Sequence, residues 1–179
     1  MRYNKSFKEI LVSGIMSTSG GLFAGILLAT FTDKILLIPG MLVLLPGFLE
    51  MRGNISGTLA ARISSGLFVH VIKPDHVKTK IVKGNVFAAF FLALIISLAL
   101  GFLAFAFNYL VFGIIAVEII IISLIAGLIA NLIEIPLALF TTLYLFKKGY
   151  DPNNIMGPFV STTGDIISIS ALLVALVII

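Results

Sequence analysis

Six charged side chains stand inside otherwise apolar stretches of this 179-residue sequence: Glu50, Arg52, Arg62, Glu118, Glu134 and Asp165. Holding one such charge at the centre of a bilayer costs about 2.5–3.5 kcal/mol on insertion scales, so each must face a partner or a water-filled cavity. The segment from Pro46 to Thr58 contains one proline and three glycines, which predicts a helix that is broken or kinked near mid-membrane. Irregular backbone at that depth lines a cavity, because its freed carbonyls need protein, water or a ligand. Glu50, Asn54 and Thr58 follow at four-residue spacing, which puts three oxygen-bearing side chains along one helix face. Glu50 and Arg52 could instead lie near an interface or pair with other groups.

A second polar stripe, Ser161, Thr162, Asp165 and Ser168, is centred on one carboxylate about 12 Å of helical rise from Gly157. Asp165 either binds a ligand or is buried against threonine or Arg62. A third group, Asn131, Glu134 and, past Pro136, Thr141, shares roughly one side of a helix. Glu134 is a second ligand, a proton acceptor or a packing acid that stays protonated. Glu118 falls near a helix end and reads as an entrance or interface residue. These donors are carboxylates, an amide and hydroxyls, a set that suits Mg²⁺, Ca²⁺ or Mn²⁺ and not copper or zinc. With no cysteine in the chain, thiolate metal sites, disulfides and cysteine nucleophiles are excluded. No nucleophile–base pair, phosphate loop or cofactor motif points to an enzyme.

The elements that must carry these residues follow from composition. Sixty per cent of the residues are hydrophobic and eleven per cent charged, against roughly 25% charged in a soluble domain. The expectation is an all-α integral membrane protein with five spans, about 10–31, 36–70, 86–108, 111–146 and 156–179, forming a single transmembrane domain 1–179. The fourth is one long helix kinked at Pro136, since the apolar run beyond it is too short to span alone. Lys5 and Lys8 with Arg2 precede the first span, Lys73, Lys78, Lys80 and Lys83 follow the second, and Lys147 and Lys148 follow the fourth. Alternate loops are thus basic, which predicts a cytoplasmic N-terminus and an external C-terminus. The net charge of +4 belongs to these loops and not to a nucleic-acid surface. Ser13, Ser17, Gly21 and Gly25 form a small-residue stripe expected to pack against a neighbouring helix.

Two segments carry a resemblance. Pro46 is followed by Gly53-Asn54 and a run of small polar residues, and Asp151-Pro152 is followed by Gly157-Pro158-Phe159, Ser161-Thr162 and Gly164-Asp165. In this the chain resembles the membrane domain of the MgtE magnesium transport family and its eukaryotic solute-carrier relatives, over essentially its whole length. The resemblance implies a pore between two five-helix units, lined by the second and fifth spans, with Asp165 on a hydrated divalent cation. It also implies that Asn54, Ser161 and Thr162 bind the ion's water shell. Arg52 and Ile55-Ser56-Gly57-Thr58 depart from the Gly and Ala-Gly-Ser-Gln that bacterial members often carry at these positions. The large cytoplasmic magnesium-sensing domains of bacterial members are not expected within this polypeptide, so regulation would fall to a separate protein.

The expected function is transport of divalent cations, Mg²⁺ first and Mn²⁺ or Ca²⁺ next, by a homodimer in the plasma membrane. Asp165, Asn54, Ser161, Thr162, Glu134 and Glu50 are the expected metal site. One rival is an exchanger coupled to Na⁺ or H⁺ through Glu134 or Glu50. Another is a membrane scaffold whose acids only pair with Arg52 and Arg62.

Overall fold

The computed structural model describes residues 2–179, with side chains described from Asn4 onward, so the side chain of Arg2 lies outside the described residues. Regular structure within them is helical: α1 (Arg2–Thr30), a single turn α2 (Thr32–Ile35), α3 (Met41–Phe68), α4 (Lys80–Phe107), α5 (Glu118–Lys147) and α6 (Pro152–Ile178). Four stretches are long and apolar enough to cross a membrane: Asn4–Thr30, Lys80–Phe112, Glu118–Lys147 and Pro152–Ile178. The helix α3 matches them in length, but Glu50, Arg52, Asn54 and Arg62 interrupt its apolar run in the middle.

Local chemistry explains where the helices differ from the expected spans. Apolar runs mark only the embedded part of a helix, so α1 begins eight residues before Ile10 and continues through its polar N-terminus. Gly40 takes a left-handed conformation (φ 83°) that sets the start of α3 at Met41. Asn108 donates from its amide to the Pro39 carbonyl beside this turn, and a Cβ on Gly40 would collide with that amide. The Thr79 hydroxyl caps α4 by accepting from Val82 N–H, while Asp151 caps α6 ahead of Pro152 at its first position, the favoured arrangement for a helix start. A wide π turn, Asn108–Phe112, extends α4 and ends at left-handed Gly113. The helix α5 therefore starts at Glu118, where the fourth span is expected from 111, and it runs on as one helix through Pro136. The expected break in α3 is absent, because Pro46 lies only five residues into a helix that continues past it.

In the packing, α6 touches α1, α3 and α5; α5 also touches α3 and α4, and α3 touches α4. Close approach of α4 to α5 depends on Gly101 against the Ile120 backbone and on Gly127 against Ser97. The Ser123 hydroxyl donates across that contact to the Ser97 carbonyl at 2.6 Å. Basic segments gather at one end. Lys147 Nζ reaches Asp75 in the α3–α4 loop at 2.6 Å, and Lys5 Nζ donates to the Gly149 carbonyl in the α5–α6 loop at 2.7 Å. The hydrogen-bonded Lys147 ammonium holds the exposed Asp75 carboxyl below the usual carboxylate range.

The small-residue stripe of α1 is corrected by the packing. Ser13 is buried and Ser17 meets Thr162, but the contact then passes to Gly20, against the Thr162 methyl, and to buried Ala24. Gly21 and Gly25 have nothing close to them. A strict four-residue spacing advances 400° per step, about 40° more than a full turn, so the stripe winds away from α6. Ser13 has a further role. Pro158 has no N–H for the carbonyl of Asn154 one turn earlier, and the Ser13 hydroxyl donates to that oxygen at 3.1 Å. Serine and threonine satisfy proline-freed carbonyls in this way in apolar surroundings.

Ser13→Ala is expected to lower stability by about 1 kcal/mol, the ordinary net worth of one hydrogen bond. Thermal unfolding in detergent measures this, and Thr18→Ala, which removes only a bond to its own helix at Gly14, is expected to cost less.

Candidate cation site

The polar residues of α3 and α6 meet along one seam. Pro46, Leu49, Glu50, Gly53, Asn54 and Gly57 of α3 face Gly157, Ser161 and Asp165 of α6 across a cleft of about 410 Å³. The α3 set falls on one face because 46, 50, 54 and 57 follow at spacings of four, four and three, and 53 is three residues from 50 and four from 57. On α6, 157, 161 and 165 succeed one another at four-residue spacing. Glycine at 53, 57 and 157 leaves the floor of the cleft open. Glu50, Asn54 and Ser161 are exposed and Asp165 is half-buried. The Asn54 amide donates to Glu50 Oε1 at 3.3 Å, which orients the carboxylate and leaves the Asn54 carbonyl oxygen free to accept.

The other expected residues lie elsewhere. Thr58 is turned from the cleft toward α4 and lines a small groove with Arg62 and Asn85. Arg62 forms no ion pair among the described residues, and the groove it lines does not include Asp165. Thr162 faces α1, where its hydroxyl meets Ser17 Oγ at 2.9 Å and donates to the Pro158 carbonyl at 3.0 Å. Ser168 is buried and donates to the Gly164 carbonyl within its own helix. The stripe read at three- and four-residue spacing therefore splits, since on a helix 162 and 168 lie about 60° to either side of 165.

Glu134 is also outside the cleft. It points from α5 to Arg52, with Arg52 Nη1 to Glu134 Oε2 at 3.4 Å and the two side chains 0% and 1% exposed. The guanidinium also lies 4.8 Å from the Phe48 ring centroid. Nothing in the spacing of either helix announces this pair, because its members are 82 residues apart in sequence. The requirement that each intramembrane charge find a partner was the signal available, and it did not identify which one. Asn131 is buried on α5 and donates to Gly127 of its own helix.

The cleft offers two carboxylates, one amide oxygen and one hydroxyl. Among the described residues, no three acidic, histidine or cysteine side chains converge as a direct cage. This donor set fits a dication that keeps its water: Mg²⁺ is octahedral, retains several waters and uses one or two carboxylates. Six waters occupy roughly 180 Å³ at liquid density, well within the cleft.

A sequence profile of the MgtE family, described as divalent cation transporter, matches residues 45–175. That interval holds all the cleft residues and the Arg52–Glu134 pair. No curated protein and no solved structure matches the chain.

Two classes of polar residue should separate in stability measurements. Glu50→Gln, in the open cleft, is expected to change unfolding free energy by no more than about 0.5 kcal/mol, as surface substitutions do. Arg52→Ala, which leaves Glu134 buried without its counter-charge, is expected to cost about 3–5 kcal/mol. Unfolding of the two purified variants beside the parent protein makes the comparison.

Proposed function

This chain belongs to the MgtE family of divalent cation transporters, and on that premise we propose that it carries hydrated Mg²⁺ through the α3–α6 cleft of two paired subunits. The observation that carries the reading is the cleft itself, where Glu50, Asn54, Ser161 and Asp165 stand together on two facing helices. In this reading α3 is the fifth membrane span. A cleft bearing two carboxylates cannot face lipid, because each charge would forfeit its hydration. A second copy placed about a two-fold axis turns the open seam into a closed passage and brings a second Asp165 opposite the first. The two acids and one dication then neutralise each other where the dielectric is low. Ser161 and Asn54 accept hydrogen bonds from the ion's water shell, so the ion need not be stripped. Thr162 and Glu134, engaged with α1 and Arg52, act on the passage from behind its wall.

The basic loops support an orientation with Lys5, Lys73–Lys83 and Lys147 in the cytoplasm and the Asn108 turn outside. That all three basic segments meet at one end is what an alternating topology requires. The membrane is read as the plasma membrane, where inward flux of Mg²⁺ is driven by the electrical potential.

A cysteine at Lys78 is expected to resist an impermeant thiol reagent applied to intact cells and to react after permeabilisation. Labelling from outside would invert the orientation.

Asp165→Asn tests the passage. The change keeps side-chain volume and one oxygen but removes one charge from each subunit. Folding should be spared, as an amide is cheaper to bury than a carboxylate, while Mg²⁺ uptake into liposomes should fall by at least about ten-fold, or ~1.4 kcal/mol. Undiminished uptake per folded molecule would sink the assignment. Uptake that persists without a Na⁺ or pH gradient distinguishes a channel from a coupled exchanger.

A further inference from the structure

The Arg52–Glu134 pair lies behind the cleft, and its surroundings give it a task that the transport reading leaves open. On α3, Arg52 is two residues from Glu50 and so about 200° around the helix, leaving the back of the wall that Glu50 fronts. Its guanidinium meets Glu134 of α5 with neither side chain exposed to solvent. The other oxygen of the same carboxylate, Oε1, abuts Gly164 of α6, where a Cβ would come within 2.7 Å. Asp165 is the next residue. One buried carboxylate of a helix that does not line the cleft thus touches both of its walls, α3 through an ion pair and α6 through the bare α-carbon beside Asp165.

We propose that Arg52 and Glu134, seated on Gly164, are positioning residues that fix the distance between Glu50 and Asp165 and thereby select the hydrated cation the cleft accepts. The inference rests on the divalent-cation reading given above. Stability alone is a poor reason for such a pair: a buried ion pair of this kind is often matched or exceeded by apolar residues of equal volume. This one is also incompletely satisfied, since Arg52 Nε and Nη2 and Glu134 Oε1 have no hydrogen-bond partner. A paired charge does supply a defined length and direction. Apolar side chains pack at many spacings, whereas opposite charges in low dielectric resist separation steeply. For a cation held through its water shell, the separation of the flanking carboxylates decides which shell fits. Mg²⁺ demands a near-ideal octahedron at 2.0–2.1 Å and Ca²⁺ accepts looser shells at 2.3–2.6 Å.

Two variants separate position from stability. Gly164→Ala inserts a methyl group between Glu134 and α6 and pushes the Asp165 wall outward. Arg52→Met with Glu134→Leu replaces the pair by apolar residues of similar bulk, which keeps the core filled and neutral. Gly14→Ala, in open space on α1, is the control. For each, liposome uptake gives the half-saturating Mg²⁺ concentration and the Mg²⁺/Ca²⁺ preference, and thermal unfolding gives stability. At near-parental stability, the double variant is expected to raise half-saturation for Mg²⁺ at least about ten-fold and to erode the preference, and Gly164→Ala to do the same. The control should alter neither. Half-saturation and preference unchanged in a folded double variant would overturn the proposal while leaving the transport reading intact. Failure of both variants to fold would overturn it as well, by making the pair structural. Absence of divalent flux in the parental protein would remove the transport reading, and this proposal with it.

Discussion

A polar group inside this chain has no water to fall back on, and most of the architecture follows from that constraint. In hydrocarbon each unanswered donor, acceptor or charge costs several kcal/mol, so each must be met by protein or gathered where water can enter. Both solutions are present. Thr18, Ser19, Thr142, Thr163 and Ser170 return their hydroxyls to carbonyls one turn earlier in their own helices. Ser13 and Asn108 reach instead across to backbone oxygens of other segments. Arg52 and Glu134 offset one another's charge in the interior through a single contact. Glu50 and Asn54, bonded only to each other, are collected with Ser161 and Asp165 in one cleft.

The helix α6 is where these solutions join. It presents Thr162 to α1, Gly164 to Glu134 of α5, and Ser161 and Asp165 to α3. Four residues within one five-residue stretch thus face three neighbours, which a helix permits because each residue turns the side chain by 100°. Proline at 158 and glycine at 157 and 164 look like defects in such a helix. Gly157 widens the cleft, Gly164 admits the buried carboxylate, and the carbonyl that Pro158 leaves free is the one that anchors Ser13. Fold and site are consequently hard to separate here, since the same turns of α6 support both.

Much of this was legible from sequence, and the part that was not has a consistent cause. The helical class followed from apolar content, and the Asp165–Ser161 and Glu50–Asn54 pairs followed from four-residue spacing within single helices. Relations between helices were not legible. Spacing placed Glu134 on one side of its helix with Asn131 and Thr141 but could not say that Arg52 would lie opposite, 82 residues away. Thr162 and Ser168 look like neighbours of Asp165 in one dimension and diverge from it around the helix axis. The stripe of Ser13 and Ser17 continued through Gly20 and Ala24 because helices turn by 3.6 residues and not four. Apolar runs also misplaced the ends of α1 and α5, because hydropathy marks burial in lipid and not the hydrogen bonds or caps that start and stop a helix.

The packing of α1 has a consequence for synthesis. The long helix it docks on is α6, which is made later, so α1 must wait for it. At roughly 5–20 residues per second, the interval between Thr30 and Pro152 lasts on the order of 6–24 seconds. During that time α1 stands in the bilayer without its partner, and its hydroxyls at Thr18, Ser19 and Thr30 are already satisfied within the helix. Ser13 likewise shares its proton with the Ile10 carbonyl at 3.0 Å until the Asn154 carbonyl arrives. The α1–α6 contact thus joins an earlier segment to a later one in time as well as in space, and the latch is a serine that has been idling in its own helix.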